Sequence, residues 1–110
     1  KNWSLGKQQS EAFIQLVNQK ANTEHELTYY ASTLCMSSHH LSMVVKRETG
    51  ETAKTWIDRA TVSAIQVELR YSNKTLTQLA NEFNFPSLSS FCKFFKRHTG
   101  VSPRQYRTEI

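Results

Sequence analysis

Three glycines and two prolines among 110 residues leave the chain little of the punctuation that hairpins and strand bends require, which favours helices. Two cysteines, Cys35 and Cys92, are too few for the disulfide framework of a small secreted domain, so both are expected as free thiols in a reducing, cytoplasmic compartment. No apolar run approaches the length of a membrane span, and no signal-peptide pattern opens the chain. Nucleophile–base pairs, paired carboxylates and phosphate-cradling glycine loops are also missing, so the chain is not expected to be an enzyme or to need a cofactor. The first residue is Lys1 and not methionine, which marks the chain as an expected piece of something longer.

What is present describes a folded protein with a basic bias. Hydrophobic residues make up 38% and charged residues 21%, a globular balance. The length suits one small domain, or two very small subdomains sharing a connecting element. Fourteen Lys and Arg against nine Asp and Glu give a net charge of +5. From Pro86 onward Lys93, Lys96, Arg97, Arg104 and Arg107 face only Glu109, a distribution more telling than the total.

Residues 1 to 6 show no periodicity and read as a lead-in, although Trp3 and Leu5 are candidates for packing. Residues 1 to 25 form the lead-in and an N-terminal helix, expected to start at a Ser10 cap and to bury Phe13, Leu16 and Val17. A short helix over Leu27 to Leu34 is followed by a turn at Cys35-Met36. Ser37 or Ser38 then caps a second helix through Glu48, whose apolar stripe is Leu41, Val44 and Val45 and whose stop is Gly50. Thr52 caps a linking helix to about Tyr71, a rod of roughly 30 Å. After a break at Ser72-Asn73-Lys74 the pattern returns: a short helix over Leu76 to Phe83, a turn at Asn84-Phe85-Pro86, and a helix capped by Ser87 that runs to His98. Leu88, Phe91, Phe94 and Phe95 form its stripe. Ser102-Pro103 opens a last short helix.

The return is an internal repeat. Leu27, Thr28, Ala31 and Leu34 lie over Leu76, Thr77, Ala80 and Phe83 at an offset of 49. From Leu41 onward the offset is 50, with Leu41, Val45, Gly50, Thr52 and Trp56 over Phe91, Phe95, Gly100, Ser102 and Tyr106. One extra residue therefore lies in the second turn, where loops tolerate insertion. Each copy has the proportions of a helix-turn-helix, with Ala31 or Ala80 where two helices cross. Each turn calls for a residue at positive φ, a need Asn84 meets and Cys35 meets poorly. The expected organisation is a first helix-turn-helix over 26–51, a linking helix over 52–72 and a second helix-turn-helix with the C-terminal helix over 73–110.

Turning the apolar stripes inward leaves His39, His40, Ser42, Met43, Lys46 and Arg47 outward or lateral in the first copy. In the second copy the same rotation exposes Ser89, Ser90, Cys92, Lys93, Lys96 and Arg97. A helix seated in a major groove needs short or adaptable groups near its start to meet base edges and cations towards its end to meet phosphates. Helix starts beside Ser37, Ser38 and Ser87 also suit phosphate oxygens.

Leu76 to Arg107 resembles the signature of AraC-type bacterial transcription regulators, through Ala80, Phe85, Ser89, Phe91, Phe95-Lys96, Gly100, Pro103 and Tyr106-Arg107. Ala31, Leu41, Lys46, Gly50 and Trp56 resemble the family's less regular first unit. The resemblance implies an all-α fold of about seven helices, with two helix-turn-helix subdomains joined by a long linking helix. It implies sequence-specific binding of double-stranded promoter DNA, the helices over about 38–48 and 87–98 entering adjacent major grooves. The family's base readers fall on His39, Ser42 and Met43, and on Leu88, Ser89, Cys92 and Lys93; Ser90 is added from the exposed face. Ser37, Ser38, His40, Lys46, Arg47, Ser87, Lys96, Arg97 and Arg104 are expected at phosphates. A sensor or dimerisation domain absent from this chain is an implied partner, and RNA polymerase a candidate one. Asn84 stands where the family favours glycine, Val45 where it favours an aromatic, and Thr61 and Ile65 where arginine and alanine are common.

Sharper readings of single features rank lower. Cys35 and His39, four apart, supply only half of a zinc site. Cys92 lies beside Lys93 and Lys96, cations that favour thiolate, yet it is read as unreactive. Phe91, Phe94, Phe95 and Trp56 resemble a stacking set for single strands, but helical spacing makes them core. The rival class is a helical interaction module that binds an acidic protein partner.

Overall fold

The computed structural model describes Ser4 to Glu109. Seven helices and no strands occur among these residues: α1 (Leu5–Lys20), α2 (Leu27–Thr33), α3 (Ser38–Thr49), α4 (Ala53–Tyr71), α5 (Leu76–Glu82), α6 (Leu88–Thr99) and α7 (Pro103–Thr108). The all-α expectation holds. The chain divides into two compact units, one ending at Ala60 and the other starting at Thr61.

The first unit is built on α1, which begins earlier than Ser10. Ser4 is the cap, its Oγ accepting from the Lys7 amide at 3.2 Å. Ser10 sits buried inside the helix and donates its hydroxyl to the Lys7 carbonyl at 3.1 Å. Leu5 and Gly6 thus belong to the first turn of α1 and not to a lead-in, whereas Trp3 lies outside the described residues. A serine with helical residues on both sides can bond back to a preceding carbonyl, so residue type alone does not mark a cap. From α1 come Phe13, Val17 and Ala21, which join Tyr30 and Ala31 of α2, Leu41 and Val45 of α3, and Ala53 and Ile57 of α4 in one core. The Tyr30 hydroxyl, at the edge of that core, donates to the Glu24 carbonyl at 2.7 Å.

The second unit has no counterpart of α1 among the described residues and fills its interior with rings. Ile65 and Leu69 of α4, Leu79 and Ala80 of α5, Phe83 just after it, and Phe91 and Phe95 of α6 form the core. Phe85 meets Phe91 edge-on at 5.4 Å between centroids, and Phe95 meets Tyr106 at 5.5 Å. The stretch 72–75 is pinned: Arg107 donates to the carbonyls of Leu69, Ser72 and Lys74 at 3.1, 3.4 and 2.7 Å. One guanidinium thereby satisfies carbonyls left open where α4 ends. Lys74 pairs with Glu82 at 2.9 Å and Glu68 at 3.6 Å, and its ammonium is held above its ordinary range first by the Glu82 hydrogen bond.

Within each unit the repeat is visible bond by bond. The Met36 amide bonds the Ala31 carbonyl at 2.8 Å, and the Phe85 amide bonds the Ala80 carbonyl at 2.9 Å. Cys35 and Asn84, the residues just before, both take left-handed φ, 59° and 60°. Ser37 and Ser87 are then the caps of α3 and α6. The extra residue of the second turn therefore falls between Phe85 and Ser87, at Pro86. Both helices stop alike, on Gly50 at φ 82° and Gly100 at φ 86°. The Thr49 and Thr99 hydroxyls donate back to the Val45 and Phe95 carbonyls at 2.7 and 2.8 Å.

Candidate nucleic-acid interface

The second helix of each helix-turn-helix, α3 or α6, is positioned by its buried stripe and started by its serine. In α3, Leu41, Val44 and Val45 are at most 1% exposed, which fixes the helix's rotation. Ser37 Oγ accepts from the His40 amide at 3.0 Å. His39, His40, Met43, Lys46 and Arg47 are exposed as a result, while Ser38 and Ser42 are half-buried. In α6, Phe91 and Phe95 are fully buried; Ser89, Lys93, Lys96 and Arg97 are exposed; Ser90 and Cys92 are half-buried. Arg104, in α7, is exposed.

Two candidates carry structural duties. Ser87 and Ser90 form a reciprocal cap: the Ser90 amide donates to Ser87 Oγ at 3.1 Å, and Ser90 Oγ accepts from the Ser87 amide at 3.2 Å. The Ser90 hydroxyl donates to the Ser87 carbonyl at 2.9 Å, so a base contact by this residue requires the cap to open. Cys92 is half-buried beside the aromatic core, and burial pushes its thiol above the ordinary range, the opposite of an activated thiolate.

Leu88 departs from the apolar stripe in which helical spacing places it. It is 41% exposed, and the buried stripe of α6 starts at Phe91. Leu88 is the first residue of the helix, and Ser38, a polar residue, occupies the same place in α3. The repeat mate was the signal available in the sequence.

The cations differ between the helices. Lys46 donates to the Gly50 carbonyl at 3.0 Å, and Arg47 Nε lies 3.3 Å from Glu48 Oε2. In α6 His98 stands in place of Glu48, and the Arg97 guanidinium lies 5.8 Å from the centre of the Phe94 ring. The α6 sequence contains no acidic residue. Sequence reasoning did not identify the Arg47–Glu48 pair, because neighbours in a helix ordinarily point apart.

Among the described residues no three His, Cys, Asp or Glu side chains gather as a metal site requires, and no helix is long and apolar enough to cross a membrane. What the two units offer instead is a paired set of helix-turn-helix second helices, each apolar inward and polar-to-basic outward. That arrangement is the class of helical DNA-binding domains.

Residues 30–109 match the family model of a helix-turn-helix domain. The HTH-type transcriptional regulator Rv1931c of Mycobacterium tuberculosis is 27% identical over 88 residues, which is 80% of this chain and 34% of that protein. The multiple antibiotic resistance protein MarA of Escherichia coli is 31% identical over 71 residues, 64% of this chain and 56% of that protein. This chain therefore spans about a third of the first relative and about half of the second. Among solved structures, the C-terminal domain of AraT, a response regulator from Geobacillus stearothermophilus, superposes with a TM-score of 0.86 at 21% identity, covering 100% of this chain and 89% of that one. The DNA-binding domain of AdpA, solved with a target DNA, has a TM-score of 0.79 at 20% identity, covering 91% and 90%. These superpositions establish the fold. The chain belongs to the AraC-type helix-turn-helix family, the DNA-binding domains of transcription regulators.

Proposed function

We propose that α3 and α6 are the two recognition helices of this domain and that they enter adjacent major grooves of one duplex. The observation that carries the reading is their shared outward face, His39, Met43, Lys46 and Arg47 in one and Ser89, Lys93, Lys96 and Arg97 in the other, all exposed. In this reading His39, Ser42 and Met43, and Leu88, Ser89, Cys92 and Lys93, meet base edges. Lys93 reads a guanine's O6 and N7, a contact worth about 1–3 kcal/mol of discrimination. Lys46, Arg47, Lys96, Arg97 and Arg104, with His40 and the serine-capped helix starts, hold phosphates. The domain acts in the cytoplasm beside a sensor or dimerisation domain and near RNA polymerase at a promoter. The support for a further domain is the fraction of the curated relatives that this chain spans, 34% and 56%.

A gel-shift titration over a range of salt, with unrelated competitor duplex present, tests the reading. Binding should survive competitor, and log affinity should fall against log salt with a slope of several units, about 0.9 for each phosphate neutralised. A salt-independent affinity, or equal affinity for every duplex at every salt, rejects it in favour of a helical module for an acidic protein partner.

A further inference from the structure

The two candidate phosphate clamps at the ends of α3 and α6 occupy equivalent places and have different neighbours. Arg47 and Arg97 each follow a lysine and precede the Thr-Gly stop of their helix. Arg47 Nε, however, is 3.3 Å from Glu48 Oε2, with the arginine side chain 61% exposed and the glutamate side chain only 25% exposed. Consecutive helical residues do not normally face each other, so this pair needs something that turns both side chains to one flank. The first turn of α1 lies there. A Cβ at Gly6 would stand 2.5 Å from Arg47 Nη2 and 2.9 Å from Glu48 Oε2, so both ends of the pair sit against the open side of a buried glycine. The equivalent of Glu48 in the second unit is His98, and α6 carries no acid that could take Arg97.

We propose that Glu48 is a built-in competitor for phosphate at the first recognition helix. In the free domain it holds the Arg47 guanidinium along the Gly6 notch, and DNA engages this clamp only by displacing a carboxylate. The ion pair is exposed on the arginine side, so it is weak enough to be exchanged. The first helix thereby contributes less affinity per cation than the second, and its contribution depends on α1 being in place. This inference rests on the DNA-binding reading above.

The test is a thermodynamic cycle on the full chain with one duplex at several salt concentrations, using wild type, Glu48→Gln, Arg47→Ala and the double variant. Glu48→Gln should tighten binding about two- to fivefold at low salt, the scale of an exposed ion pair. The advantage should fade as salt rises, because screening weakens the exposed ion pair that the wild type must break. In the Arg47→Ala background the same change should have little effect. Unchanged or weaker binding by Glu48→Gln overturns the proposal, the weaker case making Glu48 a support that orients Arg47. Equal tightening with and without Arg47 also overturns it, because simple repulsion between Glu48 and DNA then suffices. If the wild type shows no salt-dependent duplex binding, the DNA-binding reading itself fails, a result distinct from failure of the cycle.

Discussion

The two units share a plan and differ in how each is stabilised. Unit 1 holds α3 with aliphatics, Leu41, Val44 and Val45, and adds a whole helix, α1, to complete the core with Phe13 and Val17. Unit 2 fills its core with side-chain volume: Phe83, Phe91 and Phe95 inside, with Phe85, Phe94 and Tyr106 packed against them. Turn chemistry differs as well. At the same left-handed position unit 1 has Cys35 and unit 2 has Asn84, a residue several-fold more at home there. Charge divides them again: Arg47 is matched by a carboxylate, whereas Arg97, among the described residues, lies over the Phe94 ring in a helix without an acidic residue. One architecture thus supports two second helices, and unit 2 satisfies its local requirements within its own repeat while unit 1 draws on α1.

This contrast breaks most visibly at the cores. Phe91→Ala should cost about 3–5 kcal/mol, as large aromatic deletions do. In native-state hydrogen exchange the loss of protection is expected in 61–109 first, with Trp56 Nε1 still donating to Thr49 Oγ1 in unit 1 as it does now at 3.0 Å. Simultaneous loss in both units would mean that the cores cooperate as one.

Alkali should act on unit 1 through Tyr30. Burial, followed by the field of Glu24, pushes the Tyr30 hydroxyl up to about 12 from an ordinary 10.0, and its repeat mate in unit 2 is Leu79, which cannot ionise. Because the folded-state value lies above the unfolded one, the unfolded chain loses its proton first as pH rises past 10. The contribution of Tyr30 is therefore fully present below pH 10 and lost between pH 10 and 12, up to about 2 kcal/mol. Tyr30→Phe should therefore flatten the loss of unit 1 protection above pH 10 in residue-resolved NMR and leave unit 2, where burial holds up the Cys92 thiol, as it was; an equal change in both units would assign the sensitivity elsewhere.

The smallest expected effect lies in the turns. Cys35→Gly should stabilise the protein by about 0.5–1 kcal/mol, since glycine adopts the observed φ of 59° without a Cβ penalty. Asn84→Gly should gain nothing measurable, because asparagine already tolerates that conformation. Equal gains in the two thermal melts would remove turn strain from the list of differences.

Much of the scaffold was legible because it depends on local chemistry. Ser37, Ser87, Ser102, Gly50 and Gly100 are caps and stops whose side chain or missing Cβ acts within a few residues, and the apolar stripes of α3 and α6 repeat at helical spacing. What sequence reasoning could not reach depends on contacts distant in the chain. The Ser4 start of α1 escaped it because Ser10 has the same capping chemistry and only packing separates them. Arg107, nearly forty positions from Leu69, closes the end of α4 through a contact that no spacing rule encodes. The Arg47–Glu48 pair of α3 likewise sits against Gly6 of α1, a neighbour that local spacing does not reveal. Helical spacing puts Leu88 in the apolar stripe, whereas it stands first in α6, where its repeat mate in α3 is the polar Ser38, and lies exposed.

Selection of bound duplexes from a random pool tests the central asymmetry most directly. One sharply preferred segment is expected beneath α6 and, about 10 base pairs away, a second segment with weaker preferences beneath α3, whose exposed face carries His39 and Met43 but no Lys or Arg in its first half. Two segments of equal sharpness, or a single preferred segment that Lys93→Ala leaves unchanged, would contradict it.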